Sequence, residues 1–155
     1  MRFLGVDAGQ RRIGLALSDA GATLARPWMT VPAAGTARLS AQQIALRLGE
    51  VHDPFDDGPA VAGIVVGLPR RLDGRDNDQT QPARDLAAAL AVETGLPVHL
   101  QDERLTSREA ESRLAAREPD WKKRKALIDA TAAAIILQDF LDAGTHRSAS
   151  LEPTR

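Results

Sequence analysis

The sequence predicts an α/β protein in which helices flank one mixed sheet, and three observations predict it. Two short, nearly continuous apolar runs, at 2–7 and 61–67, have the pattern of strands buried on both faces. A third apolar run, at 13–18, follows the first after a polar, glycine-containing turn, as the returning strand of a hairpin does. Segments with helical spacing then alternate with the later strands, the order expected when helices cover a sheet. One domain is expected, because a chain of 155 residues can bury most of its apolar surface in a single core.

The first strand, 2–7, ends in Asp7, and Ala8-Gly9-Gln10-Arg11-Arg12 makes the turn into Ile13 to Ser18. Ala22 to Val31 supplies a third strand, with Pro27 confining it to an edge or a bulge. Leu39, Ile44, Leu46 and Leu48 on a polar background predict a helix over about 39–51, closed by the Asp, Pro and Gly of 53–59. Val61 to Gly67 is the clearest buried strand, and Leu68-Pro69 ends it. A polar loop from Arg70 to Gln81 leads to an Ala/Leu-rich helix at about 82–94, stopped by Gly95 with Pro97 beyond. Val98 to Gln101 is the last strand.

Thr106-Ser107-Arg108-Glu109 is a capping box opening a helix to about 117. Pro119 breaks it, and a final Ala-rich helix is expected over about 122–142, ended by Gly144. The domain is thus expected to span 1–142, and the polar, aperiodic tail 143–155 is expected to be disordered. Five strands result, the first three antiparallel and the others parallel. Function in such a sheet sits at the C-terminal ends of its parallel strands.

Composition narrows the chemistry. Cysteine is absent, which removes disulfides, thiolate ligands and Cys nucleophiles, so any metal must be held by carboxylates or by the three histidines. Oxygen ligands select hard cations, Mg²⁺ or Mn²⁺. Aromatic residues make up 3% of the chain with no Tyr, a poor basis for a base-stacking platform. No apolar run approaches the roughly 18 residues of a membrane span, and Asp7 comes too early for a secretory signal. A cytoplasmic protein without a membrane partner is expected. With a formal net charge of −1, contact with nucleic acid would depend on local basic patches. Arg11-Arg12, Arg70-Arg71 and Lys122-Lys123-Arg124-Lys125 are the candidates, each equally readable as solvated surface.

The acids Asp7, Asp102-Glu103 and Asp129 come from separate elements, the first two at strand ends. At about 3.6 residues per turn, Asp129, Ala133, Ile136 and Phe140 share one helical stripe, so a carboxylate lies on an apolar face. A buried carboxylate without a partner is costly, and a cation is one remedy. Ala132, Ala133 and Ala134 would let that helix approach the sheet and bring Asp129 toward Asp7. Carboxylates converging in this way can bind a pair of divalent ions about 4 Å apart, which activate water and stabilise the leaving oxygen in phosphodiester cleavage. Two of the acids also have a plainer reading: Asp7 as a turn cap, Asp129 as a hydrogen-bonded contact. Gly9 leaves room for a phosphate within reach of Arg11 and Arg12, or it simply makes the hairpin.

Four segments together resemble the YqgF/RuvX family of Holliday junction resolvase-like nucleases. They are Gly5 to Asp19, Gly67-Leu68-Pro69 with Asp73-Gly74, Asp102 to Ser107, and Lys125 to Ala130 running on to Gln138. Order and spacing match over residues 1–142. The resemblance implies a ribonuclease H-like fold and a nuclease that trims the 5′ end of precursor 16S rRNA or resolves four-way DNA junctions. It also implies Asp7, Glu103 and Asp129 as metal-binding acids. Arg104, Thr106 and Ser107 stand beside Glu103 at a helix start that favours a phosphate. Lys122, Lys123 and Lys125 precede Asp129 by about a turn, and Arg70 borders the strand end. Gln10 and Gln101 depart from the family pattern and affect substrate contacts, not the acids. Junction resolution would favour a homodimer with paired sites, whereas trimming would not require one.

Two other classes remain. A non-catalytic RNA-binding assembly factor would keep the acids structurally and bind through the basic patches. An actin-like or sugar-kinase-like ATPase shares the Asp7-x-Gly9 opening but needs a second lobe, which one domain of this length does not readily supply.

Overall fold

A computed structural model describes residues 2–52, 60–103 and 121–151. The elements are β1 (Phe3–Ala8), β2 (Arg12–Ser18), β3 (Ala25–Pro32), α1 (Ala37–Leu48), β4 (Gly63–Pro69), α2 (Thr80–Thr94), β5 (Val98–Glu103) and α3 (Trp121–Leu151). The strands form one sheet of order β3-β2-β1-β4-β5. The first three strands form an antiparallel meander, while β4 joins β1 and β5 joins β4 in parallel. This is the predicted mixed five-stranded sheet, in the ribonuclease H-like order.

Strand alternation sorts the side chains onto two faces. Leu4, Val6, Ile13, Leu15, Ile64, Val66 and Leu68 point to the side covered by α1 and α2, where they meet Ala41, Ile44, Ala83, Leu86 and Leu90. Ala16 and Val65 point to the other side, under Ala133, Ile136, Leu137 and Leu141 of α3. Both faces are therefore buried, which is why β1 and β4 read as continuous apolar runs.

Pro27 lies on edge strand β3, opposite Ala16. The register shifts there, because Leu15 pairs with Met29 and Ala16 with Pro27, which leaves Trp28 as an extra residue on β3. The turn before β3 is held by Asp19, whose carboxylate accepts from the Thr23 hydroxyl at 2.6 Å and from the Thr23 and Leu24 amides at 2.7 and 3.1 Å. Those bonds, the Thr23 hydroxyl first, lower the Asp19 pKa to about 2. This turn delays β3 to Ala25, beyond the expected Ala22.

Three helix expectations change. In α1 the buried stripe is Ser40, Ala41 and Ile44, whereas Leu39 and Leu46 are exposed. The lone Leu residues marked a helix but not its inner face. Helix α2 starts at Thr80, earlier than 82, because the Thr80 hydroxyl donates to the Pro69 carbonyl and accepts from the Asn77 amide, tying the helix start to the end of β4. It stops at Gly95 as expected, in the left-handed conformation at φ 68. Helix α3 does not stop at Gly144, and residues 143–151, expected in a disordered tail, continue it to Leu151. A glycine weakens a helix interior by only about 1 kcal/mol, and the next proline is Pro153. The capping box and helix expected over 106–117 lie outside the described residues.

No helix among the described residues is long and apolar enough to cross a membrane.

Candidate active site

The face under α3 is paved with glycine where the acids gather. A Cβ on Gly5 would lie 2.8 Å from the Ala133 carbonyl oxygen, and one on Gly14 would run into the Asp129 carbonyl. Helix α3, with Ala130, Ala132, Ala133 and Ala134 buried, thus rests almost on the backbone of β1 and β2. Gly14 is paired with Asp7 across the β1–β2 ladder. Seating the Asp129 backbone on Gly14 therefore brings that helix beside the first acid.

Glu103 arrives from the opposite direction. It ends β5, paired with Pro69, and β4 separates β5 from β1. Two strand spacings amount to about 9.6 Å. The gap closes because Gly67 on β4 has no side chain. A Cβ there would lie 3.0 Å from Glu103 Cδ and 2.5 Å from Ile136 Cδ1. The Glu103 side chain lies in the space over Gly67 and hydrogen-bonds the Asp7 carboxyl.

Electrostatics follow from that geometry. Burial pushes the Asp7 pKa up to about 7, with Asp129 adding repulsion and the Glu103 hydrogen bond working against both. Burial pushes Glu103 up to about 8, reinforced by Asp7 and Asp102. Two buried carboxyls in hydrogen-bond contact do not both ionise freely, so the pair retains a proton near neutrality. Asp129 is raised by burial, offset by Arg12, whose Nε lies 3.5 Å from Asp129 Oδ2.

These three acids offer only carboxylate oxygens, in a setting that penalises their negative charge. A hard divalent cation fits that donor set, since it can replace the retained proton and relieve the repulsion. Asp7 and Glu103 are already in contact, while Asp129 faces Arg12. Among the described residues no three His, Asp or Glu side chains form a ready-made ligand set.

The other expected site residues divide into groups. Gly9 donates its amide to the Arg12 carbonyl at 3.0 Å, so the turn residue does close the hairpin. Arg11 is exposed. Arg70, expected at a phosphate, is turned instead toward Asp76 and Asp102 at 3.6 and 3.8 Å, and Arg84 joins Asp76 at 3.0 Å. Asp102 alternates with Glu103 along β5, so its carboxylate belongs to the Arg70 group on the other face. Arg104, Thr106 and Ser107 lie outside the described residues, as do the side chains of Lys122, Lys123 and Lys125.

Gly5, Gly14 and Gly67 were missed as site residues. Their signal was glycine inside strand patterns, a common mark of close backbone approach. Gln138 was also missed. Its side chain accepts from the Ala25 amide at 2.9 Å and donates to the Thr23 carbonyl at 3.0 Å, fixing α3 against the start of β3. A cleft of about 420 Å³ opens on the α1/α2 side, lined by Gln10, Thr36, Ser40, Gln79 and Asp85. It contains none of the three acids.

A sheet of this order, with carboxyls meeting at the ends of its parallel strands, defines a ribonuclease H-like protein with an acidic centre. Residues 1–143 match the model of the RuvX family, described as Holliday junction resolvase. The chain is similar to a protein of Anaeromyxobacter dehalogenans named as a candidate pre-16S rRNA nuclease, 43% identical over 92% of this chain and 97% of that one. A protein of Koribacter versatilis with the same name is 40% identical over 91% of this chain and 86% of that one. Among solved structures, Thermus thermophilus RuvC in complex with a Holliday junction substrate is 23% identical, covering 94% of this chain and 96% of that one, at a TM-score of 0.49. The chain belongs to the RuvX family of nucleases.

Proposed function

We propose that this protein is a cytoplasmic, divalent-metal-dependent nuclease that hydrolyses phosphodiester bonds at the 5′ end of precursor 16S rRNA, with Asp7, Glu103 and Asp129 as its catalytic, metal-holding acids. The observation that carries this reading is the Asp7–Glu103 carboxyl pair, hydrogen-bonded over Gly67, with the charge of Asp129 on α3 close enough to raise Asp7. The names of the curated relatives support rRNA as the substrate.

When bound, Mg²⁺ or Mn²⁺ would activate the attacking water and neutralise charge on the scissile phosphate. The chain's own residues do the rest. Asp7 and Glu103 hold their oxygens at fixed strand ends, and Asp129 closes the centre from the helix. Arg11 is exposed at the hairpin tip, where it can meet backbone phosphates, and the Gly9 amide closes that tip on the Arg12 carbonyl. On the sequence alone, Arg104, Thr106, Ser107, Lys122, Lys123 and Lys125 are proposed as further substrate contacts.

The family's description favours a second reading, resolution of four-way DNA junctions, for which we propose a homodimer with paired sites. Cleavage of precursor 16S rRNA and of synthetic four-way junctions, each with Mg²⁺ or Mn²⁺, separates the two. The expected result is rRNA cleavage by the wild type and at least about a thousandfold loss in Asp7→Asn with RNA affinity retained. Preferential junction cleavage would transfer the function to DNA. RNA binding without cleavage under every condition would leave a non-catalytic assembly factor.

A further inference from the structure

We propose that Arg12 is the resident counter-ion of Asp129, which a divalent cation must displace, and that the released guanidinium then turns to the nucleic-acid backbone. The inference rests on the nuclease reading above and concerns how its third acid is kept before the metal arrives.

Arg12 opens β2, two residues before Gly14 and on the same face. Gly14 supports the Asp129 backbone, and the Arg12 side chain on the same face reaches the Asp129 carboxylate. The Arg12 backbone cannot follow a moving side chain. Its carbonyl accepts from Gly9, and the residue is paired with Pro32 across the β2–β3 ladder.

The contact itself is weak. A single Nε–Oδ2 approach of 3.5 Å is longer than the roughly 2.7–2.9 Å of a charge-assisted hydrogen bond, and the two-pronged arginine geometry is not used. The Arg12 side chain is 45% exposed and that of Asp129 26% exposed. Water screens such a pair, and giving it up costs little. Arg70 differs in having two acids nearby, Asp76 and Asp102 at 3.6 and 3.8 Å, where Arg12 has Asp129 at 3.5 Å.

A divalent cation offers more. It would face Asp7 and Glu103 as well as Asp129, so three carboxylates would favour it where one favours Arg12. Once it is seated, Arg12 meets a positive centre and a neutralised carboxylate, and its favourable direction is outward, toward phosphate. Substrate would then complete the exchange: the acid takes the metal and the arginine takes the phosphate.

The test measures Mn²⁺ binding calorimetrically, without nucleic acid, in the wild type, Arg12→Gln, Arg12→Lys and Asp129→Asn. Removing the competitor should tighten Mn²⁺ binding by about fivefold in Arg12→Gln and leave Arg12→Lys near the wild type. RNA affinity measured with Ca²⁺ should fall by a similar factor in Arg12→Gln. In the wild type, the NMR signal of the Arg12 Nε–H group, identified by its loss in Arg12→Lys, should shift on Mg²⁺ addition and stay unmoved in Asp129→Asn. That measurement keeps the proposal testable even if Arg12→Gln folds poorly. Unchanged or weaker Mn²⁺ binding in Arg12→Gln, with metal-dependent cleavage intact in the wild type, would overturn the counter-ion role alone. Absence of Mn²⁺ binding in the wild type, or binding indifferent to Asp129→Asn, would overturn both this role and the nuclease reading.

Discussion

The two faces of the sheet are built from different materials. Toward α1 and α2 the strands present Leu4, Val6, Ile13, Leu15, Ile64, Val66 and Leu68, a layer of large aliphatics. Toward α3, near the acids, they present Gly5, Gly14 and Gly67 to a helix rich in alanine. The first face stabilises by burying area. The second surrenders that gain so that a helix backbone and a glutamate side chain can come close to Asp7. One sheet thus keeps its layer of large aliphatics and its acids on opposite sides.

Neighbours on β2 give the hardest test. Gly14→Ala places a methyl against the Asp129 carbonyl, a backbone atom that cannot step aside without moving α3. It should cost about 3 kcal/mol or more and lower cleavage by about a hundredfold or more, because Asp129 moves away from Asp7. Leu15→Ala, one residue on and facing the other way, should cost about 2–5 kcal/mol in denaturant unfolding while the folded fraction cleaves at close to the wild-type rate. Equal losses of activity per unit of stability in the two variants would dissolve the distinction between the faces.

How much of this was legible in advance depends on whether a feature is local. Continuous apolar runs marked β1 and β4, Pro27 marked an edge with a bulge, and acids at strand ends marked the centre. Each follows from the chain's own periodicity. Leu39 and Leu46 misled because a stripe is chosen by what lies beneath it, and α1 turned Ala41 and Ile44 inward. Gly144 misled because one weak helix former does not end a helix that nothing else interrupts. The Arg12–Asp129 and Arg70–Asp102 pairs depend on which elements become neighbours. Sequence supplied their charges without their partners. Glu103 is the sharpest case, since its reach to Asp7 depends on an absent side chain at Gly67, on the strand between them.

A smaller effect comes from pH. Asp7 and Glu103 are raised to about 7 and about 8 from ordinary values of 3.8 and 4.5. Raised acids favour the folded protein while protonated. Their contribution is complete below about pH 4 and is lost as pH rises through 7 and 8. Without divalent cations, the wild type should therefore lose melting temperature relative to Asp7→Asn between pH 5 and pH 9, by roughly 3–6 °C. Mn²⁺ should recover most of that loss in the wild type and little of it in Asp7→Asn. Scanning calorimetry in EDTA and in Mn²⁺ reads both. Parallel pH curves would mean that the acid face carries no such stored repulsion, and the contrast with the aliphatic face would shrink to packing alone.

The smallest expected effect probes how the acid face keeps its alignment where the strands present glycine to α3. Leu137 and Ile136 of helix α3 seat over Gly5 and Gly67, and a polar anchor further along the helix adds to fixing its position along the sheet. Gln138 does this by bonding the Ala25 amide at the start of edge strand β3 and the Thr23 carbonyl in the turn before it. Asp129 lies nine residues earlier on the same helix, about 13.5 Å away at 1.5 Å per residue. Gln138→Ala should cost only about 1–2 kcal/mol, the range for two exposed or half-buried hydrogen bonds. A small slip of the helix would nonetheless reach Asp129. Cleavage should fall about tenfold while RNA affinity holds, since phosphate contacts tolerate a shift that a metal-binding geometry does not. Loss of stability without loss of rate would mean that the glycine floor alone registers α3.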